Sequence, residues 1–405
     1  MSGLVIVGGS YAGLNVALAA RHHGYAQRIR ILTNESVLPY HRPPLSKGYL
    51  LGTTDPQTLP LRGEACYLEN DIEVQLHTHV KAVSPGRVET SDGHVRFEKL
   101  ALATGARARL INLQGAALEG VVTLRSLADT EAIRERLGSV SSVVIIGAGF
   151  IGLELAATLR KLGKSVTVLE GQSRVLARAM PPRMSEFIAA EHRRHGVDLR
   201  CNVSIAYISG EHGRAKSVTL ADGTECPAEL VVLAVGATPN SELAAPLGLL
   251  SQGAVEVDAV GRTRLENVYA AGDCTIHPNA FAGSVLRLES VQNATDQGKS
   301  VGAAIAGVHL PYDSVPWFWS DQYDLKLQMV GLSQGADLEI LRGSLESRKF
   351  SVFYFRDQRL IGIDSVNAAA DHMLGRRLLA QRIACPAAAV RDPQFELKTL
   401  LAAPR

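Results

Sequence analysis

The segment Gly147-Ala148-Gly149-Phe150-Ile151-Gly152 constrains this chain more than any other. It stands between a short apolar run, Val143–Ile146, and a longer helix-like stretch, Ile151–Leu162, so a strand must turn directly into a helix. Glycine at the first place allows the tight turn, at the third lets backbone approach a diphosphate, and at the sixth lets helix and strand pack closely. The diphosphate charge then meets the helix N-terminus. Glu170 ends the following strand, Val166–Leu169, where a carboxylate accepts from the adenosine ribose of NAD and repels a 2′-phosphate. The pattern favours NADH, and Arg174, four residues on, leaves NADPH open.

The same unit occurs once before. Gly8-Gly9-Ser10-Tyr11-Ala12-Gly13 links the run Leu4–Val7 to the helix-like Leu14–Arg21, with Ile29–Leu32 as the next strand. Ser10 occupies the place of the second glycine, so this turn is an imperfect match. Glu35, just past the next strand, supplies the ribose-binding carboxylate that the pattern calls for. Repetition over so long a distance is duplication of a βαβ unit, and two dinucleotide sites in one chain suggest a two-cofactor relay.

Further strands are predicted at Lys99–Ala103, Leu230–Val235 and Val268–Ala271; the first two run into the turns Thr104-Gly105-Ala106 and Gly236-Ala237-Thr238-Pro239. From about Pro316 the texture changes to alternating strands, Leu325–Val330 and Phe350–Phe355, with a helix near Ala368–Leu379. The predicted class is α/β, with two Rossmann-like dinucleotide-binding domains and a C-terminal α+β domain.

Length and composition narrow the functions. A chain of 405 residues is expected to form two or three domains. A net charge of +2 gives no reason to expect nucleic acid or a membrane as partner. No apolar run reaches the ~18 residues of a membrane span, and no secretory leader is read at the start, so a cytoplasmic protein is expected. Cys66, Cys201, Cys226, Cys274 and Cys385 are scattered, with no C-x-x-C pair and no zinc-ligand spacing, and are expected to be inert thiols with no metal site.

Several segments together carry a family resemblance: the first turn with Glu35, Pro39-Tyr40-His41-Arg42-Pro43-Pro44-Leu45-Ser46-Lys47, Ala103-Thr104-Gly105, Tyr269-Ala270-Ala271-Gly272-Asp273, Glu289-Ser290-Val291-Gln292-Asn293-Ala294 and Trp317-Phe318-Trp319-Ser320-Asp321-Gln322. The chain resembles, over essentially its whole length, the FAD- and NAD-binding ferredoxin reductases that serve Rieske dioxygenases and bacterial cytochromes P450. The resemblance implies a glutathione-reductase-like fold in which residues 1–111 and 242–316 bind FAD, 112–241 bind NAD and 317–405 form the C-terminal domain.

It also implies roles. Gly8, Ser10, Ala12, Gly13, Glu35, Ala103, Thr104, Gly105 and Gly272 would line FAD, with Asp273 accepting from the ribityl chain. Arg42, Lys47, Arg107 and Arg125 would be the basic residues near the cofactor, unless they are solvated surface charges. Val80 would meet the adenine through its main chain, an ordinary core valine being the alternative. Val291, with Glu289 and Gln292 beside it, would contact the flavin. Gly147, Gly149, Phe150, Ile151, Gly152, Glu154, Glu170 and Gly236 would hold NAD. Lys47 and Glu154 would pair beside flavin N5 and guide the nicotinamide, where the bland alternative is two surface charges. Trp319 would cover the flavin edge facing the acceptor, the alternative being a core anchor.

The acceptor implied is an acidic [2Fe–2S] ferredoxin taking one electron at a time, with Arg287, Lys326, Arg376 and Arg377 as candidates for a basic docking patch. Two rival readings share the scaffold. A flavin-dependent disulfide reductase, peroxidase or NADH oxidase needs a redox cysteine, and Lys47 stands where some of those enzymes carry one. A flavoprotein resembling apoptosis-inducing factor, responding to NADH by binding partners, shares the Arg-Pro-Pro-Leu-Ser-Lys segment but has a longer C-terminal domain.

Overall fold

Two parallel sheets of the same construction organise the chain in a computed structural model that describes residues 3–402. By contact density these residues fall into two units: one holds the segments up to His41, Gln57–Arg107 and Thr238–Phe318; the other holds Arg42–Pro56, Ala108–Ala237 and the chain from Trp319 onward.

In the first unit, Gly3–Val7 lies between Ile29–Leu32 and Gly93–Leu102, with Ile72–Gln75 outside the former and Val268–Ala270 beside the latter. These contacts are parallel, with Val7 level with both Leu32 and Leu102. Residues buried on both faces, as Leu4, Val5 and Ile6 are, explain why the strand reads as an unbroken apolar run. The far half of Gly93–Leu102 continues as an antiparallel ribbon with Arg87–Thr90 and Val80–Ser84. Helix Tyr11–His22 follows the first strand, and helix Val291–Ile305, capped by the Ser290 side chain, belongs to the same core.

In the second unit, Ser142–Ile146 lies between Ser165–Leu169 and Leu230–Leu233, flanked by Asp198–Arg200 and Val121–Thr123. All four pairings are parallel. Helix Phe150–Lys161 follows the central strand as Tyr11–His22 does in the first unit. A separate antiparallel sheet runs Trp317–Gln322, Leu325–Gly331, Arg359–Val366, Lys349–Arg356 and Leu338–Ser344, with helix Ala369–Ala380 against it. One face of this sheet (Leu325, Leu327, Phe350, Val352, Tyr354, Val366) packs into the same apolar cluster as the parallel sheet, with Phe187 edge-on to Phe350.

The predicted strands and helices are all present with ends shifted by a few residues, and the α/β class with an additional α+β segment holds. The largest shift is at Gly93–Leu102, predicted only over its buried end; its outer half alternates exposed and half-buried residues and is held by the antiparallel ribbon. No helix among the described residues is long and apolar enough to cross a membrane.

Buried ionisable groups set an acid limit on this fold. Burial pushes His192, His277 and His372 down to about 4 from 6.5, so the unfolded chain takes up these protons first as pH falls. Burial pushes Asp364, which accepts from Tyr354 Oη at 2.8 Å, up to about 7 from 3.8. Its sign is opposite, since the folded state keeps a proton that the unfolded state loses. Three depressed histidines outweigh one raised carboxyl, so stability present at pH 7 declines as pH falls through the window from 6.5 to 4. The melting temperature is expected to drop by on the order of 5–10 °C between about pH 7 and pH 5. Asp364→Asn, lacking the opposing term, should steepen that drop in a thermal scan series.

Candidate functional site

The two glycine turns repeat each other bond for bond. The Gly8 amide donates to the Leu32 carbonyl at 2.8 Å, and the Gly147 amide to the Leu169 carbonyl at 2.8 Å. Ala103 N–H donates to the Val7 carbonyl, and Ala234 N–H to that of Ile146. Gly8 and Gly147 hold φ of 119° and 106°, and a Cβ on either would lie 2.1 or 2.4 Å from the carbonyl oxygen of Ala103 or Ala234. A Cβ on Gly13 or Gly152 would lie 2.0 or 2.2 Å from the Gly8 or Gly147 oxygen. Glycine is therefore obligatory at the first and last places of both turns.

The middle place is different. Gly149 is the N-cap of its helix in extended backbone (φ −78°, ψ −178°), with nothing within 4 Å of a would-be Cβ. Ser10 is the N-cap in its own turn, also extended at φ −143°. A residue with a side chain fits there, so the departure at Ser10 leaves the turn intact. Both helices lack an acidic residue in the first turn, and a helix start leaves amide N–H groups without partners inside the helix. Each turn thus fits a diphosphate: a close backbone cradle, amide donors at the helix start and no acidic residue in the first helical turn.

Around the first turn, Glu35 accepts from Tyr40 Oη at 2.6 Å. The Thr104-Gly105 turn is pinned by Asn240, which donates to the Thr104 carbonyl and accepts, through its own carbonyl, from Thr104 Oγ1 at 2.6 Å. Gly272 N–H donates to Gln297 Oε1 at 2.7 Å beside the half-buried Asp273. Val80 is buried in the ribbon, and Val291 opens the helix Val291–Ile305. Arg107 is tied to Asn240 and Glu242. Asn240 and Gln297 were not legible in the sequence, since they act at long range on other segments' backbone.

Around the second turn, Glu170 accepts from Ala148 N–H at 2.7 Å and Gln172 N–H at 2.9 Å. A carboxylate has about four lone-pair positions, so ribose hydroxyls still find acceptors. Arg174, which left NADPH open, turns into its own loop. It donates to Ser185 Oγ and to the carbonyls of Met180 and Ala177, and so is committed to shaping that loop. Gly236 (φ 101°) accepts from Arg109 N–H, and Arg178 lies beside it. Phe150 and Ile151 start the helix, Ile151 exposed.

The same unit gathers Lys47 and Glu154. The turn Pro43–Ser46 docks on helix Phe150–Lys161, where Thr158 Oγ1 donates to the Ser46 carbonyl at 2.8 Å. Glu154, only 3% exposed, accepts on Oε2 from Lys47 Nζ at 2.5 Å and Ser46 Oγ at 2.6 Å, and on Oε1 from Ser320 Oγ at 2.7 Å. These are not surface charges: three donors satisfy a buried carboxylate that one alone would leave costly. Arg42 donates to the Arg125 carbonyl, and Arg125 N–H to Asp129. Trp319 precedes Ser320 in the strand Trp317–Gln322.

Of the basic residues expected at a docking face, Arg287 pairs with Glu289 and Lys326 with Asp321, while Arg377 is exposed on helix Ala369–Ala380. Burial raises the thiols of Cys201, Cys226, Cys274 and Cys385, the opposite of an activated cysteine. No group of three or more His, Cys, Asp or Glu among the described residues is arranged to hold a metal.

Fold and turns together define a two-dinucleotide α/β oxidoreductase. Residues 2–298 match the pyridine nucleotide-disulphide oxidoreductase family, and 317–401 match the reductase C-terminal domain. The chain belongs to the pyridine nucleotide-disulphide oxidoreductase family, and it is a flavoprotein oxidoreductase whose cofactors are FAD and NAD(H). It is 42% identical to rhodocoxin reductase of Rhodococcus erythropolis, over 98% of this chain and 94% of that one. It is 36% identical to putidaredoxin reductase of Pseudomonas putida, over 99% and 97%. The ferredoxin reductase for the CYP199A2 system of Rhodopseudomonas palustris superposes with a TM-score of 0.95 at 40% identity, covering 98% of this chain and 99% of that one.

Two measurements test this geometry. Gly152→Ala should destabilise the fold by about 1–3 kcal/mol and weaken NADH binding, whereas Gly149→Ser should leave the melting temperature unchanged. Glu170→Ala should raise KM for NADH about tenfold, with kcat little changed, and narrow the preference over NADPH in steady-state assays.

Proposed function

We propose that this chain carries electrons from NADH, through FAD, to an acidic [2Fe–2S] ferredoxin that supplies a cytochrome P450 or a Rieske oxygenase, drawing on the cytoplasmic NADH pool. The observation that carries the reading is the pair of half-buried Lys47 with buried Glu154, a lysine in the segment where a thiol-dependent relative would place its cysteine. Relatives named as reductases of ferredoxin-type proteins support the choice of acceptor, as does a superposable structure (TM-score 0.95) of a covalent putidaredoxin reductase–putidaredoxin complex.

In this reading residues 1–111 and 242–316 bind FAD, 112–241 bind NAD and 317–405 form the C-terminal domain. Bound FAD supplies the conversion between a two-electron hydride donor and one-electron acceptors. The protein's share is binding and orientation. The first turn, with Gly8, Ser10, Ala12 and Gly13, takes the FAD diphosphate at a helix N-terminus, Glu35 its ribose and Asp273 its ribityl chain. Ala103, Thr104, Gly105, Gly272, Val80, Val291, Arg42 and Arg125 complete that set. Gly147, Gly149, Phe150, Ile151, Gly152, Glu170 and Gly236 hold NAD. Lys47 and Glu154 guide the nicotinamide, and Trp319 shields the flavin on the acceptor side.

Anaerobic titration with NADH and NADPH, following flavin bleaching, tests cofactor and preference together. NADH should bleach the flavin stoichiometrically, and cytochrome c reduction should become fast only on adding a [2Fe–2S] ferredoxin. Glu154→Gln should retain FAD yet slow bleaching by about 10–100-fold. Wild-type bleaching kinetics in that variant would remove the role given to the pair.

A further inference from the structure

Glu154 is the end of a longer buried chain of hydrogen bonds. Ser320 Oγ, which donates to its Oε1, receives a hydrogen bond from Gln322 Nε2 at 3.1 Å. Gln322 Oε1 lies 2.8 Å from His192 Nε2, and His192 Nδ1 lies 3.1 Å from Tyr323 Oη. Ser320, Gln322 and His192 are each at most 1% exposed. The links are all satisfied when protons run from Tyr323 O–H to Nδ1, from Nε2–H to Oε1, from the Gln322 amide to Ser320, and from the Ser320 hydroxyl to Glu154. Every donor then points toward the carboxylate, with His192 neutral and its proton on Nε2.

The groups around His192 agree with a neutral ring. Burial above all, with His195, brings its pKa down to about 4, against the hydrogen bond to Gln322 and the charge of Glu191, which both raise it. Glu191 is itself engaged by Arg194 and Arg348, and His195 is stacked on the Tyr323 ring. None of these residues has a role in the reading above. Alternation along Trp317–Gln322 leaves Ser320 and Gln322 buried and Trp319 half-buried, so the chain and the tryptophan use opposite faces of one strand.

We propose that Ser320, Gln322 and neutral His192 are positioning residues that hold the Glu154 carboxylate turned toward Lys47, so that the state of His192 governs how readily NADH delivers its hydride. The inference rests on the role given above to Lys47 and Glu154.

The test uses FAD-loaded holoenzyme with 15N-labelled histidine. In the wild type the His192 signals should show a neutral Nε2–H ring at all pH values down to about 4. Ser320→Ala and Gln322→Leu should slow anaerobic bleaching by NADH about tenfold with flavin content unchanged, and Ser320→Thr should restore the rate. Gln322→Glu sets a carboxylate against the imidazole, which should raise its titration into the range of about pH 6–7. Bleaching in that variant should then change over the same range as the His192 signals.

The inference is overturned if Ser320→Ala and Gln322→Leu bleach at the wild-type rate. It is equally overturned if His192 titrates in Gln322→Glu while the rate stays flat, since a purely structural role predicts no such coupling. A wild-type holoenzyme that NADH does not bleach would instead overturn the reading of the Lys47–Glu154 pair, and the inference with it.

Discussion

The structure depends on a contact that only glycine permits. At Gly13 and Gly152 the start of a helix lies against the carbonyl of the strand-end glycine before it, closer than any Cβ allows. This contact sets each helix N-terminus at the carboxyl end of its central strand, where a diphosphate meets amide donors in a parallel α/β sheet. It also explains the burial along the helices that follow: Leu14, Val16 and Ala17 in one and Leu153, Leu155 and Ala156 in the other reach the sheet. Binding geometry and core packing are thus two consequences of one steric fact.

The second organising element is a buried charge. A carboxylate at 3% exposure is destabilising unless its lone pairs are filled, and a purely apolar core would have served stability as well. Glu154 is filled from three sequence-distant sources: Ser46 and Lys47 on one turn, and Ser320 on a strand of the C-terminal sheet. Such an arrangement fixes one orientation of the carboxylate and ties together the turn, the helix and the strand that carries Trp319. The structure uses charge here for position, holding one carboxylate orientation between three elements.

Much of this was legible in the sequence because it is local. The glycine spacing, the apolar runs that precede it and the acidic residues that follow identify both turns and both sheets without any long-range information. Ser10 looked like a defect only because the pattern does not say which glycines are steric; the extended backbone there shows that the middle one is not. Arg174 illustrates the converse, a cation whose charge read as available to a ligand and which also bonds three groups of its own loop. Ser320, Gln322, His192, Asn240 and Gln297 carry no local signature at all. Each matters through a partner about 25 or more residues away, and a hydroxyl or amide in a strand or helix looks the same whether it faces solvent or a carboxylate.

Charge pairing shapes the proposed acceptor face as well. Arg287 and Lys326, which as bare cations would attract any anionic surface, are each matched within their own segment by Glu289 and Asp321. An acidic protein that uses them must exchange a pair already made, and exposed pairs are worth only about 0–1 kcal/mol. The exchange is therefore cheap, and each pair by itself yields little affinity for a generic polyanion.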